Sequence, residues 1–254
     1  MANDHKHWFS VVLITWNEAN NIEACLSPLL QISDDVLVLD AYSEDDTPAL
    51  AKKMGAWVIQ KKWEGYAQNK NYANAQAHHD WILSIDADEI VSEALIQTLK
   101  TLEPESNTVY ELDRLTNYCG KWIHHSGWYP DWKVRLFNRN SLQWQGDFVH
   151  ETLAIPKEMK RVRLEGKLLH YSYKSSEDHL QRIDRYAALS AKDLYTQGKK
   201  AGFFKLWVSP VFRFLRTLII SRGFMDGKEG WIISMRGARL VRTKYRLLRE
   251  MWRE

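Results

Sequence analysis

Trp81-Ile82-Leu83-Ser84-Ile85-Asp86-Ala87-Asp88 decides how this chain is read. Its first five residues form a short apolar run closed by charge, the pattern of a strand buried in a parallel sheet. Two carboxylates two residues apart follow at its carboxyl end, where open α/β sheets bind ligands. Oxygen donors of this kind suit Mg²⁺ or Mn²⁺, which bridge one or two carboxylates to substrate phosphates. Taken alone, the pair fits a solvated acidic turn that starts a helix equally well. The surrounding sequence decides between them.

Toward the N-terminus, strand and helix signals alternate. Strands are expected at Trp8–Ile14, Val36–Leu39 and Ala56–Ile59, and helices at Glu18–Leu30, Pro48–Met54 and Tyr66–Ala77. Gly55 fits a left-handed cap on the second helix. The β-α-β-α-β-α-β order argues for an α/β fold with a mostly parallel sheet flanked by helices. Neither G-x-G-x-x-G nor G-x-x-x-x-G-K-[ST] occurs, which counts against a dinucleotide fold or a P-loop.

Beyond Asp88 the pattern loosens. Val134–Phe137 and Arg161–Leu164 read as strands, with a segment dense in aromatic, His and acidic residues between them, and a helix is expected from Ser176 to Gln197. Residues 203–220 are apolar but interrupted by Lys205, Arg213 and Arg216, too charged and too short to span a bilayer. Ser209-Pro210 is a good helix start, so a new helix can begin there. After Gly230, Ile233, Val241, Tyr245, Leu248 and Trp252 line one helical face and Arg239, Arg242, Arg246, Arg249 and Arg253 another. Such a helix either lies in a membrane interface or packs on the body with its Arg face in water.

Composition fits a folded globule: of 254 residues, 45% are hydrophobic and 26% charged. The net charge of +3 hides an asymmetry, because residues 199–254 hold 14 Lys and Arg against 4 Asp and Glu. An acidic body with a basic tail points to an anionic surface, either membrane phospholipid or nucleic acid. Cys25 and Cys119 form neither a disulfide framework nor a zinc spacing. No apolar signal region precedes the first strand, so a cytoplasmic location is expected.

Four stretches in order give a resemblance: Val12-Leu13-Ile14-Thr15-Trp16-Asn17-Glu18, Val38-Leu39-Asp40 with its Ser/Asp-rich turn, Gly65 through Asn71, and Asp86-Ala87-Asp88-Glu89. Together they resemble family 2 glycosyltransferases of the GT-A fold. Tyr129-Pro130-Asp131, Arg135-Leu136-Phe137, Val149-His150-Glu151 and Gly223-Phe224-Met225-Asp226-Gly227 resemble the branch holding bacterial lipopolysaccharide inner-core β-glucosyltransferases. The resemblance implies a GT-A catalytic domain over 1–198, with a nucleotide-sugar half at 1–102 and an acceptor half at 103–198. A basic amphipathic helical extension, 199–254, would follow it.

The resemblance also implies roles. Asp88 would hold a divalent cation (Mg²⁺ or Mn²⁺), and Asp86 the ribose or the metal shell. Asp40 would accept from uracil, and Lys70 and Asn71 would match the basic and amide positions of the third stretch. Thr15, Asn17 and Glu18 lie at a strand-to-helix turn whose free amides favour polar ligands, with helix capping by Asn17 as the alternative. Glu89 would be a secondary contact or a helix-start charge. Inverting transfer needs one carboxylate to take the acceptor's proton. Glu151 is the first candidate, Asp147 the second and Asp131 the third. His124 and His125 are read as solvated.

The expected reaction moves a hexose, glucose from UDP-glucose, to a saccharide on a lipid carrier of the lipopolysaccharide core. The enzyme would sit peripherally on the cytoplasmic face of the inner membrane. Polyprenyl phosphate, another polysaccharide or a protein are alternative acceptors. A nucleotidyltransferase would carry a Gly-rich, Arg-containing loop after the first strand, where Thr15-Trp16-Asn17-Glu18 stands. No nucleic-acid motif accompanies the arginine-rich helix, so nucleic acid is not expected as a partner.

Overall fold

The computed structural model describes residues 8–146, 152–173 and 175–253. In chain order the elements are β1 (Phe9–Thr15), α1 (Ile22–Leu29), β2 (Val36–Asp40), α2 (Thr47–Met54), β3 (Trp57–Gln60), α3 (Tyr66–Gln76), β4 (Trp81–Asp86), β5 (Glu89–Val91), α4 (Glu93–Thr101), β6 (Thr108–Tyr118) and β7 (Lys121–Trp122). Then come β8 (Trp132–Asn138), β9 (Trp144–Gln145), β10 (Thr152–Leu153), β11 (Lys160–Tyr173) and α5 (Ser176–Thr196). A helical run at 204–220 has α6 (Ser209–Leu215) at its centre, and a 3₁₀ turn (Gly223–Asp226) leads into α7 (Gly227–Met251).

The expected parallel half is present. The sheet runs β3-β2-β1-β4-β8-β6-β11-β5, with β7 paired to β6. β1 pairs in parallel with β2 and β4, and β2 with β3. From β4 onward, β8 pairs antiparallel with both β4 and β6. The β1 and β4 sequences read as near-continuous apolar runs, interrupted by Ser10 and Ser84, because both faces are covered. Val11, Leu13, Leu83 and Ile85 face α1 and α4 in one core, while Val12, Leu37, Ile82 and Phe137 face α3 in another. Each such side chain contributes about 1.5–3 kcal/mol of apolar burial.

Contacts divide the chain into two compact units. One holds the residues up to Arg114 with Trp132–His170, and the other Leu115–Asp131 with Tyr171 onward. Neither unit begins or ends near residue 198. α5 belongs with the C-terminal helices because its buried face, Ile183, Ala187 and Ala191, is packed by α7.

Three local expectations change. α1 begins at Ile22 rather than Glu18, because the Glu18 carbonyl accepts from the amides of Asn21 (2.8 Å) and Ile22 (2.9 Å) and closes a turn first. Gly55 does take the left-handed cap, at φ 100°. Ser209-Pro210 does open α6, with Pro210 in its first turn, but no break precedes it. A π-helical turn, Phe204–Val208, leads straight into α6, and a second, Arg216–Ile220, follows it. The wider turn relieves the clash a proline ring makes with the preceding helical carbonyl. α7 takes the packed alternative, with Ile233 and Leu248 buried.

The second unit contains a buried polar knot. The Tyr118 hydroxyl accepts from Arg236 and lies 3.0 Å from His179 Nδ1, while Arg236 also donates to Ser176. Trp128 and Tyr173 pack around Tyr118. Asp226, from the Gly223–Gly227 motif, accepts from the amides of His124 and His125 and from the Ser126 hydroxyl. His125 is thus not a solvated loop residue; its Nδ1 lies 3.3 Å from Asp226. Gly230 is required beside it, since a Cβ there would sit 1.8 Å from the Gly223 carbonyl oxygen.

Burial first, and then the nearby Arg236, push His179 down to about 4. Above the ordinary histidine value of about 6.5 both folded and unfolded states are neutral, and its contribution to stability is complete. Between there and 4 only the unfolded chain takes up the proton, so stability falls as pH falls. The ceiling on the loss is about 3 kcal/mol. Thermal melting at pH 7 and pH 5 should show a larger drop for the wild type than for His179→Gln, which keeps an acceptor for the Tyr118 hydroxyl.

Candidate active site

The parallel register sets the site. Thr15 pairs with Asp40, and Ile14 with Asp86, so β1, β2 and β4 deliver these residues to one sheet edge. Neighbouring strands lie about 4.8 Å apart, so Asp40 and Asp86 flank β1 at roughly 10 Å. The loops beyond β1 and β2 are laced together. The Asn17 amide donates to Ser43 Oγ (2.8 Å), the Glu44 amide to Asn17 Oδ1 (2.8 Å), and the Glu18 amide to Thr47 Oγ1 (2.8 Å). Asn17 has φ 55°, a left-handed conformation that Asn tolerates. Its side chain clamps the neighbouring loop and does not cap α1.

The acidic stretch meets a set of cations. Arg135 Nη2, from β8, donates to Asp86 Oδ2 (2.6 Å) and Glu89 Oε1 (2.5 Å). Lys70 Nζ lies 3.4 Å from Asp86 Oδ1 and Arg114 Nη1 3.4 Å from Glu89 Oε1. Glu89 has no exposed surface and takes the Asp86 amide on Oε2 (3.1 Å). It opens β5 and braces the turn from below, so it is not a helix-start charge. Burial opposes ionisation of Asp86, but Arg135, then Lys70, hold its carboxyl far below the usual range. Burial likewise opposes charge on Arg135, and Asp86 and Glu89 reverse this, raising it above its ordinary value.

Asp88 stands apart from these pairs. Its Oδ2 lies 3.3 Å from His170 Nε2, and both side chains are partly exposed. β11 pairs antiparallel with β5, setting His170 opposite Glu89. One carboxylate and one imidazole form an incomplete N/O donor pair; the carboxylate suits Mn²⁺ or Mg²⁺, and the imidazole nitrogen suits Mn²⁺ better than the oxygen-seeking Mg²⁺. Among the described residues no group of three His, Cys, Asp or Glu gathers as a complete metal site. Beneath the turn, buried Cys25 points its Sγ at the Asp86 carbonyl oxygen (3.7 Å). Its thiol is pushed well up by burial and then by Glu89, Asp88 and Asp86.

Other expected residues are in place but otherwise engaged. Asp40 is fully buried and accepts from the Ser43 amide and hydroxyl, from Gln60 Nε2 and from Thr15 Oγ1. A base that paired with it would have to displace one of these. Lys70 is buried, its ammonium 4.4 Å from the Trp144 ring centroid. Asn71 exchanges two hydrogen bonds with the Trp144 backbone, at 2.8 and 2.9 Å, which uses the amide that was expected to meet a ligand. Asp86 is likewise committed to Arg135 and Lys70. Asp147, His150 and Glu151 lie outside the described residues.

Sequence reasoning missed the parts that pairing brings in. Arg135 was visible as a strand residue and in the Arg135-Leu136-Phe137 resemblance, but not as the partner of Asp86 and Glu89, and His170 carried no signal, since only the β11–β5 register sets it beside Asp88. The exposed aromatics Trp16 and Tyr42, just past β1 and β2, were readable as rings directly after strand ends. Arg135 Nε and Trp144 Nε1 are buried donors with no partner among the described residues.

Residues 10–155 match the family described as "Glycosyl transferase family 2". An uncharacterized glycosyltransferase of Rickettsia felis is 32% identical over 94% of this chain and 90% of its own length. The lipopolysaccharide core biosynthesis glycosyltransferase LpsC of Rhizobium meliloti is 27% identical over 90% and 87%. Among solved structures, glucosyl-3-phosphoglycerate synthase of Mycobacterium tuberculosis, crystallised with Mn²⁺, UDP-glucose and phosphoglyceric acid, is 18% identical over 78% of this chain and 82% of that one, with a TM-score of 0.47.

Removing one member of a buried ion pair strands the other. Arg135→Leu should therefore cost about 3–5 kcal/mol of unfolding free energy. Urea denaturation measures it. A loss under about 1 kcal/mol, the value of a surface pair, would show that the guanidinium does not anchor this edge.

Proposed function

From the premise that this chain belongs to glycosyltransferase family 2, we propose that it is a metal-dependent, inverting hexosyltransferase. In this reading it moves glucose from UDP-glucose to a hydroxyl of a lipid-linked saccharide of the lipopolysaccharide core. The similarity to LpsC supports the acceptor class. The observation that carries the enzymatic reading is Asp88 beside His170 Nε2, at the same edge as the pinned Asp86.

Asp88 and His170 would hold the divalent cation, Mg²⁺ or Mn²⁺. Held by these residues, such a cation would supply charge neutralisation for the leaving diphosphate. The chain's own residues do the rest. Arg135 and Lys70 keep Asp86 ionised and oriented, able to accept from a ribose hydroxyl with the part of its carboxylate left exposed. Glu89 fixes the Asp86 amide, so the turn carrying Asp88 does not drift. Asp40, with Thr15, sets the floor under the nucleoside by holding the Ser43 turn. Trp16 and Tyr42 offer exposed faces on which a base can stack. The laced loop of Asn17, Glu18, Ser43 and Thr47 keeps these rings at fixed spacing.

The base that takes the acceptor proton is assigned to Glu151, with Asp147 the alternative; the assignment rests on sequence. The basic extension from residue 199 would hold the enzyme at an anionic membrane, on the cytoplasmic face of the inner membrane. Among the described residues no helix is long and apolar enough to cross a membrane.

Two sets of variants test this reading. Titration of Mn²⁺ and UDP by calorimetry should show cation-dependent UDP binding in the wild type and none in Asp88→Asn. His170→Gln should weaken the cation at least about tenfold, the least that loss of even an outer partner costs. Unchanged binding in both would remove the metal assignment. Glu151→Gln should leave donor binding near normal and cut turnover by about 10²-fold or more. If Asp147→Asn does so instead, Asp147 is the base.

A further inference from the structure

Helices built only from α turns carry their i, i+4 rows slowly around the axis, because a turn holds 3.6 residues. The run at 204–220 differs. It has a five-residue π segment on each side of α6. Turns closed by i→i+5 bonds hold about 4.4 residues, and such segments are rare and frequently lie at functional sites. The mixture averages close to four per turn, so i, i+4 rows lie straight along the axis.

The sequence fills these four rows differently. One row is Phe203, Trp207, Val211, Leu215 and Ile219. The next is Phe204, Val208, Phe212 and Ile220, with Arg216 between the last two. These nine apolar residues are 44–75% exposed. The third row is Lys205, Ser209 and Arg213, and ends in the buried Thr217. The fourth, Leu206, Pro210, Phe214 and Leu218, turns inward, with Pro210 buried and Phe214 against Trp231 at 5.1 Å.

Large apolar side chains scattered singly over a surface are ordinary, but two adjoining straight rows form a contiguous patch. Its occupant is identified by charge. Lys205, Arg213 and Arg216 lie within the run, and residues 199–254 carry 14 cations against 4 anions. Lys244 is already held below its ordinary value, by burial first and then by Arg213 and Lys205. A second copy of the chain would bring the same cations and repel. A bilayer offers acyl chains for the two apolar rows and anionic headgroups for the basic row.

We propose that the helical run at 203–220 lies in the plane of an anionic bilayer, its two apolar rows at the acyl boundary, with Arg216 reaching up to the headgroups where the Lys205–Arg213 row lies. This rests on the membrane-bound reading above and adds which element enters the lipid. α7, with Ile233 and Leu248 buried against the helices beside it, contributes charge and is not the inserting element.

The test is flotation of the full chain with phosphatidylglycerol-containing and pure phosphatidylcholine vesicles. The wild type should float with the anionic vesicles. Phe204→Glu/Phe212→Glu should lose at least about tenfold in partitioning, as expected when the buried apolar face is broken. Its melting temperature should not change. If that variant floats like the wild type, the run does not insert, while the membrane reading stands. If the wild type itself does not float, both fall. If gel filtration shows a wild-type dimer that the variant dissolves, without flotation, the face is a protein interface and the proposal is overturned. Should the double variant misfold, quenching by bromolipid decides the matter: Trp207→Phe should remove a quenched component of the wild-type fluorescence, and equal quenching would refute insertion.

Discussion

The guanidinium of Arg135 lies between the carboxylates of Asp86 and Glu89, largely out of water, and the order of the sheet edge follows from that placement. Burying such a group costs several kcal/mol before any partner is counted. Once it is in place, β8 is bound electrostatically as well as by backbone bonds to β4. Glu89 is held where it can take the Asp86 amide, and Lys70 is drawn toward the free side of Asp86. Apolar side chains of similar volume often serve stability equally well. The ionic arrangement makes more sense as a means of holding a charged turn rigid at a surface where ligand must come and go.

Much of this was legible in the sequence because it is local. The strands β1, β2 and β4 are written as apolar runs, and their ends as charge. Parallel pairing then delivers Thr15, Asp40 and Asp86 to one edge whatever the loops do. The identity of the acidic turn was legible for the same reason. The partners of those residues were not. Asp40 looks like an open acceptor in sequence, yet Ser43, Gln60 and Thr15 close around it. Asn71 looks like a free amide, yet it satisfies the Trp144 backbone. His170 is separated from Asp88 by more than eighty positions, and no periodicity announces it. Which side chain meets which across an antiparallel pair depends on register, and register is set by the whole core.

The C-terminal region shows a second limit. Apolar and arginine faces on α7 were compatible with packing or with an interface, and periodicity alone does not separate the two. Packing against α5 and α6 settles it for α7. At about 3.6 residues per turn, Lys205, Ser209, Arg213 and Arg216 of the run before it share one narrow stripe. With two wide turns Arg216 leaves that stripe and the residues fall into four rows, two of them mainly apolar. Proline at 210, which suggested a break, is absorbed by the same widening.

The sealed thiol under the acidic turn has a practical corollary. Cys25 is enclosed and surrounded by negative charge, so it offers almost no nucleophilic thiolate, whereas Cys119 is exposed in the other compact unit. A maleimide or iodoacetamide reagent would therefore mark one unit and spare the other in the native protein. Uptake of a second label would report the opening of the acidic turn as it happened. The chain carries, in its two cysteines, a built-in probe of whether its charged edge is intact.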